Sequence, residues 1–365
     1  MGNNQPNNTD NLISQPGHID WPAVTIWVAA RDEAERLPLL LASLLAQDYP
    51  TERLQVLIGN DQSMDQTAEI VTEISKSFPY IQLVDIPNYN THLRSKSRVL
   101  NYLADLTKTD YVLITDADIV LPPTWVHAMI TELLDPADGQ PVHLVSGITT
   151  MLGASVFSRI QGLDWLTALF TVSLLDKANV GVTALGNNMA FDFRAYQTIG
   201  GYAALPASIV EDFQLYMAFR DGGFQTANRY SGHLLATTFA PETWSAYIKQ
   251  RVRWLSGGLQ TDAVVRGIFF AQFGWYPVLG IIALSGLGTW STIAALLVMV
   301  RYLSITTLCY VAILKADNPR NKLMSQFWAL PWLFELYFVV GYVSTIYAYY
   351  ANPVVEWKGR TYPQK

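Results

Sequence analysis

Between residues 23 and 121, short apolar runs alternate with segments whose apolar positions recur every three or four residues. AVTIWVAA (23–30) reads as a buried strand and AERLPLLLASLLAQ (34–47) as an amphipathic helix. LQVLIGN (54–60) is a second strand, and DQTAEIVTEISKSF (65–78) a second helix with Ser63 or Asp65 as its cap. YIQLVDI (80–86) and DYVLITD (110–116) are further strands, separated by the helical pattern KSRVLNYLADLT (96–107). This β-α-β-α-β-α-β order predicts an α/β fold with a mostly parallel sheet and helices on both faces. Farther on, FSRIQGLDWLTALFTVSLLDKA (157–178) is apolar with sparse charges. It reads either as a buried core helix or as a helix lying in a membrane interface. IVEDFQLYMAFRDGG (209–223) is another helical pattern, opened by Glu211 and Asp212.

The pattern changes after Arg266. From Gly267 to Leu314 the only charge is Arg301. At about 20 residues per crossing that is room for two spans, 267–288 and 292–314. A third apolar run, Phe327–Tyr350, holds one charge, Glu335. Lys315, Arg320 and Lys322 lie between the second and third runs, and Lys249–Arg266 precedes the first, so both segments belong on the cytosolic side. Arg301 and Glu335 fall on adjacent antiparallel spans and are expected to pair, because a lone charge at that depth is costly. The expected organisation is a polar tail (1–20), a catalytic domain (21–264), a membrane domain of about three helices (265–352) and a short tail (353–365).

Composition fits that division. Of 365 residues, 50% are apolar and 15% charged. The formal charge of −6 argues against general nucleic-acid binding, which needs a basic footprint. Cys309 is the single cysteine, which excludes a disulfide framework, and the five histidines have no i, i+4 pairing suited to zinc. Residues 1–20 lack the apolar core of a signal peptide, so the domain after them is expected in the cytosol of a multi-pass membrane protein.

Chemistry gathers where the strands end. In an open parallel sheet, ligands bind beyond the carboxyl ends of the strands. Arg31-Asp32-Glu33 follows the first strand, Asp61 the second, and Asp116 and Asp118 the fourth. One such group is an ordinary turn or cap residue. Acids from three strands on one edge instead call for a cation, and oxygen-only donors favour Mg²⁺ or Mn²⁺. A divalent ion held by few carboxylates completes its shell with water and phosphate oxygens, which points to a nucleoside diphosphate.

These residues stand in ordered segments that resemble a family 2 glycosyltransferase of the GT-A fold. ARDEAERL (30–37) is similar to the family's A-R-N-E-E opening, with Asp32 in place of Asn. NDQSMDQT (60–67) is similar to D-D-x-S-x-D-x-T, with Asn60 for the first acid and Asp61 at the uracil-contacting position. SKSRVLN (95–101) resembles G-K-x-x-A-L-N with Ser95 for Gly, and TDAD (115–118) matches D-x-D. The resemblance implies donor contacts at Ala30, Glu33, Asp61, Lys96 and Asp116, and a metal at Asp116 and Asp118. ALGNNMAFDF (184–193) resembles the G-x-N-x-x-F floor of the acceptor site. Acids in a first helical turn ordinarily serve the helix dipole. Here Glu211-Asp212 also resembles the family's E-D motif, with Asp212 implied as general base, its carboxyl raised by desolvation.

KQRVRW (249–254) contains Q-x-x-R-W, found in membrane-linked members such as ceramide-glucosyltransferase-like enzymes and the cellulose and hyaluronan synthases. By that resemblance Gln250, Arg253 and Trp254 belong to the site, Arg253 at the pyrophosphate and Trp254 at the acceptor. Lys249 and Arg251 are left as the positive flank that orients the membrane segment. EWKGRTY (356–362) resembles the W-x-G-R-x-Y ending of lipid glucosyltransferases. The function implied is inverting, metal-dependent transfer of a sugar, first of all glucose, from a UDP-sugar to a lipid hydroxyl: a ceramide, a diacylglycerol or an isoprenoid such as a carotenoid. The alternatives are a small processive polysaccharide synthase, a polyprenyl-phosphate sugar synthase and a non-catalytic sugar-nucleotide-binding protein.

Overall fold

The computed structural model describes residues 21–89, 91–134, 139, 141–208, 210–258, 289–316, 330–351, 354–357 and 360–363, with isolated positions between 263 and 282. Its first half follows the predicted alternation: β1 (Val24–Ala30), α1 (Leu37–Leu45), β2 (Leu54–Asn60), α2 (Thr67–Ser77), β3 (Ile81–Asp85), α3 (Ser95–Leu106) and β4 (Tyr111–Asp116). α1 begins later than its apolar pattern suggests. The Glu33 carbonyl accepts from the amides of Arg36 and Leu37, closing a turn, and Pro38 then suits the first helical turn. Asp65 accepts from Thr67 N at 3.0 Å and Ala34 N at 2.9 Å, so it ties the start of α2 to the loop after β1.

The second half adds α4 (Trp125–Leu134), β5 (Leu144–Ser146), β6 (Ile148–Leu152), α5 (Val156–Lys177), β7 (Asn188–Asp192), α6 (Phe193–Thr198), α7 (Glu211–Asp221), β8 (Thr226–Asn228), β9 (Leu235–Phe239) and α8 (Trp244–Gly258). The main sheet runs β3-β2-β1-β4-β7-β5-β8, with β6 and β9 paired separately. β1 is parallel to both β2 and β4, whereas β7 is antiparallel to β4, with Thr115 opposite Asn188. The expected mostly parallel sheet therefore holds for the first four strands.

Alternation along β1 divides the interior in two. Val24, Ile26, Val28 and Ala30 face a core shared with α1, α2 and α4, and Trp27 faces the other core, with α3, β7 and α7. β1 has strands on both sides and helices on both faces, which is why it is almost wholly apolar.

Two long helices follow, α9 (Thr289–Lys315) and α10 (Leu330–Ala351), and the tail closes as an antiparallel hairpin of β10 (Val354–Trp357) and β11 (Arg360–Pro363). Among the described residues one segment, Ala295–Lys315, is long and apolar enough to cross a membrane. The predicted span 267–288 and the tail 1–20 lie outside the described residues, apart from isolated positions. α10 coincides with the third predicted run and packs along α8. Gly341 makes that approach possible, since a Cβ there would sit 2.4 Å from Tyr247 Oη. The expected pairing of Arg301 with Glu335 is present, Nε to Oε1 at 3.2 Å between α9 and α10. α5 reads both ways from its sequence. Its buried face, including Ile160, Leu163, Leu166 and Leu169, packs on β6, α9 and α10, while Val156 and Leu174 stay exposed.

Candidate active site

The ends of β1, β2 and β4 and the start of α3 meet on one edge, and the chain bends sharply to reach it. Asp32, Gln62 and Ser95 adopt φ of 52°, 59° and 48°, the left-handed region that favours glycine or asparagine. That explains why Gly and Asn are usual at two of the places where this sequence has Ser95 and Asp32. Asp32 makes use of its position, accepting from Met64 N at 2.7 Å.

Lys96 sits at the centre of this edge. Its Nζ lies 2.5 Å from Asp116 Oδ1 and 3.6 Å from Glu211 Oε1, and donates to the Gly186 carbonyl at 2.8 Å. One ammonium thus joins the strand-end acid of the first half to α7 and the β7 approach of the second. Burial works against its charge, but Asp116 and Glu211 outweigh it and lift Lys96 above the usual lysine value. Burial pushes Glu211 up to about 7, with Lys96 opposing the rise and Asp212 adding to it. Burial thus brings the Glu211 carboxyl into the neutral range.

Asp212 is held by two amides. Gly186 N donates to Oδ2 at 3.0 Å, and Phe213 N donates to Oδ1 at 2.8 Å. Gly186 is required there, because an added Cβ would come within 2.8 Å of Asp212 Cβ and 3.2 Å of Lys96 Nζ. The residues after it fix its place. Asn187 accepts from Thr149 and Thr115, while buried Asn188 donates to the carbonyls of Ile148 and Leu234 and accepts from Trp125 Nε1. The predicted acceptor floor is therefore a fully hydrogen-bonded scaffold.

Asp61 is 4% exposed, and its amide donates to the Ala30 carbonyl at 2.8 Å. Its carboxylate is paired with Arg98, and Arg31 donates to its carbonyl at 2.7 Å. Glu33 lies in the adjoining turn, its amide donating to Thr67 Oγ1 at 2.9 Å. Asp118 lies 3.8 Å from Arg36, whose guanidinium covers the Phe239 ring. Sequence reasoning missed Arg98 and Arg36. The available signal was Arg98 two residues after Lys96 and Arg36 at the end of the first motif.

Among the described residues no group of three or more His, Cys, Asp or Glu side chains is placed to hold a metal ion by itself. Asp116 and Asp118, with side chains 36% and 33% exposed, still fit a hard divalent ion that takes its remaining ligands from diphosphate and water.

The Q-x-x-R-W residues lie on α8. Gln250 Oε1 is buried without a hydrogen-bond partner among the described residues. Trp254 stacks on Trp165 of α5 at 4.4 Å, and Arg253 sits beside it, partly exposed. The described ring contacts of Trp254, with Trp165 and Arg251, do not reach the Lys96 cluster. Arg251 departs from expectation. It is no exposed flank: its side chain is 13% exposed and its Nη2 lies 2.5 Å from Asp164 Oδ2.

The signature of the family described as Glycosyl transferase family 21 matches residues 15–364. The chain belongs to glycosyl transferase family 21. The resemblance to a GT-A glycosyltransferase related to family 2 thus stands, whereas its ceramide-glucosyltransferase-like part is not what the curated relatives match. This family 21 glycosyltransferase is 23% identical over 256 residues to a probable glycosyltransferase of Bacillus subtilis, YdaM, covering 69% of this chain and 58% of that one. It is 24% identical over 251 residues to poly-β-1,6-N-acetyl-D-glucosamine synthase of Staphylococcus epidermidis, covering 68% and 57%. The chain therefore spans 57–58% of the length of these relatives. Among solved structures it resembles the mannosyltransferase PcManGT of Pyrobaculum calidifontis in complex with GDP-Man and Mn²⁺. The TM-score is 0.53 at 17% identity, over 93% of this chain and 90% of that one, a likeness of fold.

Proposed function

We propose that this family 21 glycosyltransferase moves a sugar from a UDP-sugar, with glucose the first to test, to a lipid hydroxyl at the cytosolic face of a membrane. The catalytic domain spans 21–264 and the membrane domain 265–352. The carrying observation is the Lys96 junction, which ties Asp116 of the donor edge to Glu211 and, through Gly186, to Asp212. Donor and acceptor halves meet at one point, as single displacement requires. Leu185, beside Gly186, packs with Leu166 and Leu169 of α5 and with Ala316 just past α9, and α5 packs on α9 and α10, which supports a lipid acceptor.

In this reading Asp212, oriented by its two amides, takes the proton of the acceptor hydroxyl. The acceptor oxygen forms its bond to the anomeric carbon as the bond to the diphosphate oxygen breaks on the opposite face. The centre inverts, so an α-linked donor yields a β-glycoside. Lys96 and Arg253 donate charge-assisted hydrogen bonds to the phosphate oxygens, where negative charge collects. Asp61 and Glu33 line the nucleotide side next to Ala30, and Gln250 and Trp254 receive the acceptor. A Mg²⁺ or Mn²⁺ ion held by Asp116 and Asp118 would supply Lewis-acid stabilisation of the leaving diphosphate.

The test is full-length protein in vesicles of total lipid extract with Mn²⁺ and UDP-glucose, UDP-N-acetylglucosamine or GDP-mannose, with products separated by chromatography. The expected product is a glycolipid. Asp212→Asn is expected to lower transfer by about 10²–10⁴-fold while leaving UDP binding unchanged. A second reading, a processive polysaccharide synthase, is favoured by the Staphylococcus relative. Polymer in place of glycolipid would establish it and remove the lipid reading.

A further inference from the structure

Helical geometry divides α8 into two faces. Consecutive residues are about 100° apart, so positions separated by three or four share a side. Arg253, about 160° from Arg251, faces one side with Gln250 at its edge, and Tyr247, Arg251 and Trp254 share the other. The second face is fastened to two other helices. Arg251 Nη2 lies 2.5 Å from Asp164 Oδ2 on α5 and donates to Tyr337 Oη on α10 at 2.8 Å, and Tyr337 Oη donates to the same Asp164 oxygen at 3.4 Å. The guanidinium lies over the Tyr247 ring at 5.1 Å and the Trp254 ring at 4.9 Å. Trp254 in turn stacks on Trp165, the neighbour of Asp164, with the planes 24° apart.

A buried guanidinium with one carboxylate, one phenol and two aromatic faces is a costly arrangement to keep for adhesion alone. Apolar side chains of the same volume would hold three helices together at least as well. What the charged arrangement adds is direction. The Arg251–Asp164 bond fixes the rotation of α8 about its axis, and the indole stack fixes the plane of Trp254.

We infer that Arg251, Asp164 and Tyr337 form a positioning node that sets the angle at which α8 presents Arg253 and Trp254 to the reacting sugar. The inference rests on the transfer reading above. None of the three residues touches substrate. Each acts through α8, so the node governs turnover more than donor affinity, to which Lys96 also contributes at the phosphates. It also makes α10 a working part of the catalytic apparatus, since one of its side chains sets the geometry of the motif helix.

The experiment measures UDP released from UDP-glucose, UDP-N-acetylglucosamine or GDP-mannose (GDP in the last case) by the full chain in lipid vesicles with Mn²⁺. Asp164→Asn and Tyr337→Phe are compared with wild type. Asp164→Asn is expected to lower kcat by about 10- to 100-fold, and Tyr337→Phe to lower it by a smaller factor. Donor KM and calorimetric UDP affinity change by a smaller factor than kcat. The double variant loses less than the product of the singles, because both changes break the same contact. The exciton circular dichroism of the stacked Trp165–Trp254 pair, identified by difference from Trp165→Phe, weakens in step with kcat. Wild-type kcat in folded Tyr337→Phe and Asp164→Asn overturns the node, as does activity that falls only with the folded fraction. If Asp164→Asn does not fold, Tyr337→Phe decides alone, since it removes a single hydroxyl. A wild type that turns over none of the three donors overturns the transfer reading and this inference with it, whereas an active wild type with unaltered variants overturns only the node.

Discussion

Gly186 shows how much a single hydrogen atom can matter in this site. A methyl group there would press on Asp212 Cβ from 2.8 Å and on Lys96 Nζ from 3.2 Å. Gly186→Ala is expected to lower turnover by about 100-fold through displacement of Asp212, with the circular dichroism of the folded chain unchanged. Glu211 carries the pH dependence. Its folded value of about 7 lies above the usual 4.5, so the folded state holds this proton more tightly than the unfolded chain does. The contribution to stability is complete below about pH 4.5 and is lost as pH rises through about 7. Glu211→Gln should remove that slope, worth on the order of 3 kcal/mol, in denaturation curves recorded across the interval. Asp61, Lys96, Asp116, Asp118 and Asp212 were legible in the sequence because each stands in an ordered segment at a strand or helix end. Arg98, Arg36 and Arg251 were not, because no short pattern announces which distant acid an arginine will meet.

Among the elements, α8 departs most from its sequence reading. A basic segment before an apolar run is ordinarily an orienting flank, and nothing in residues 249–254 alone says that Arg251 turns inward to Asp164, 87 residues earlier. The alternation of β1 to β4 was readable because a parallel sheet built from β-α-β units writes its period into neighbouring residues. The placement of β7 beside β4, antiparallel, was not, since it depends on a pairing between segments far apart in the chain. The α8–α10 packing can be probed at Gly341, where a Cβ would meet Tyr247 Oη at 2.4 Å. Gly341→Leu is expected to destabilise the chain by about 1–3 kcal/mol, read as a lower midpoint of thermal unfolding in detergent.

At the scale of the whole molecule, the Arg301–Glu335 pair joins α9 to α10, with side chains only 13% and 17% exposed. Arg301→Leu alone leaves a carboxylate without its counter-charge and should cost on the order of 3 kcal/mol, whereas Arg301→Leu with Glu335→Leu should recover most of it. Both are measured as folded yield and unfolding midpoint in detergent. The order of strands in the main sheet has a consequence for synthesis. β3, β2, β1 and β4 are complete once residue 116 has left the ribosome. β7 at 188–192 is the strand between β4 and β5, so the free edge of β4, and β5 at 144–146, stay unpaired until β7 arrives. The nascent chain therefore carries a half-built, sticky sheet through about eighty residues of translation, and at ~5–20 residues per second that exposure lasts several seconds.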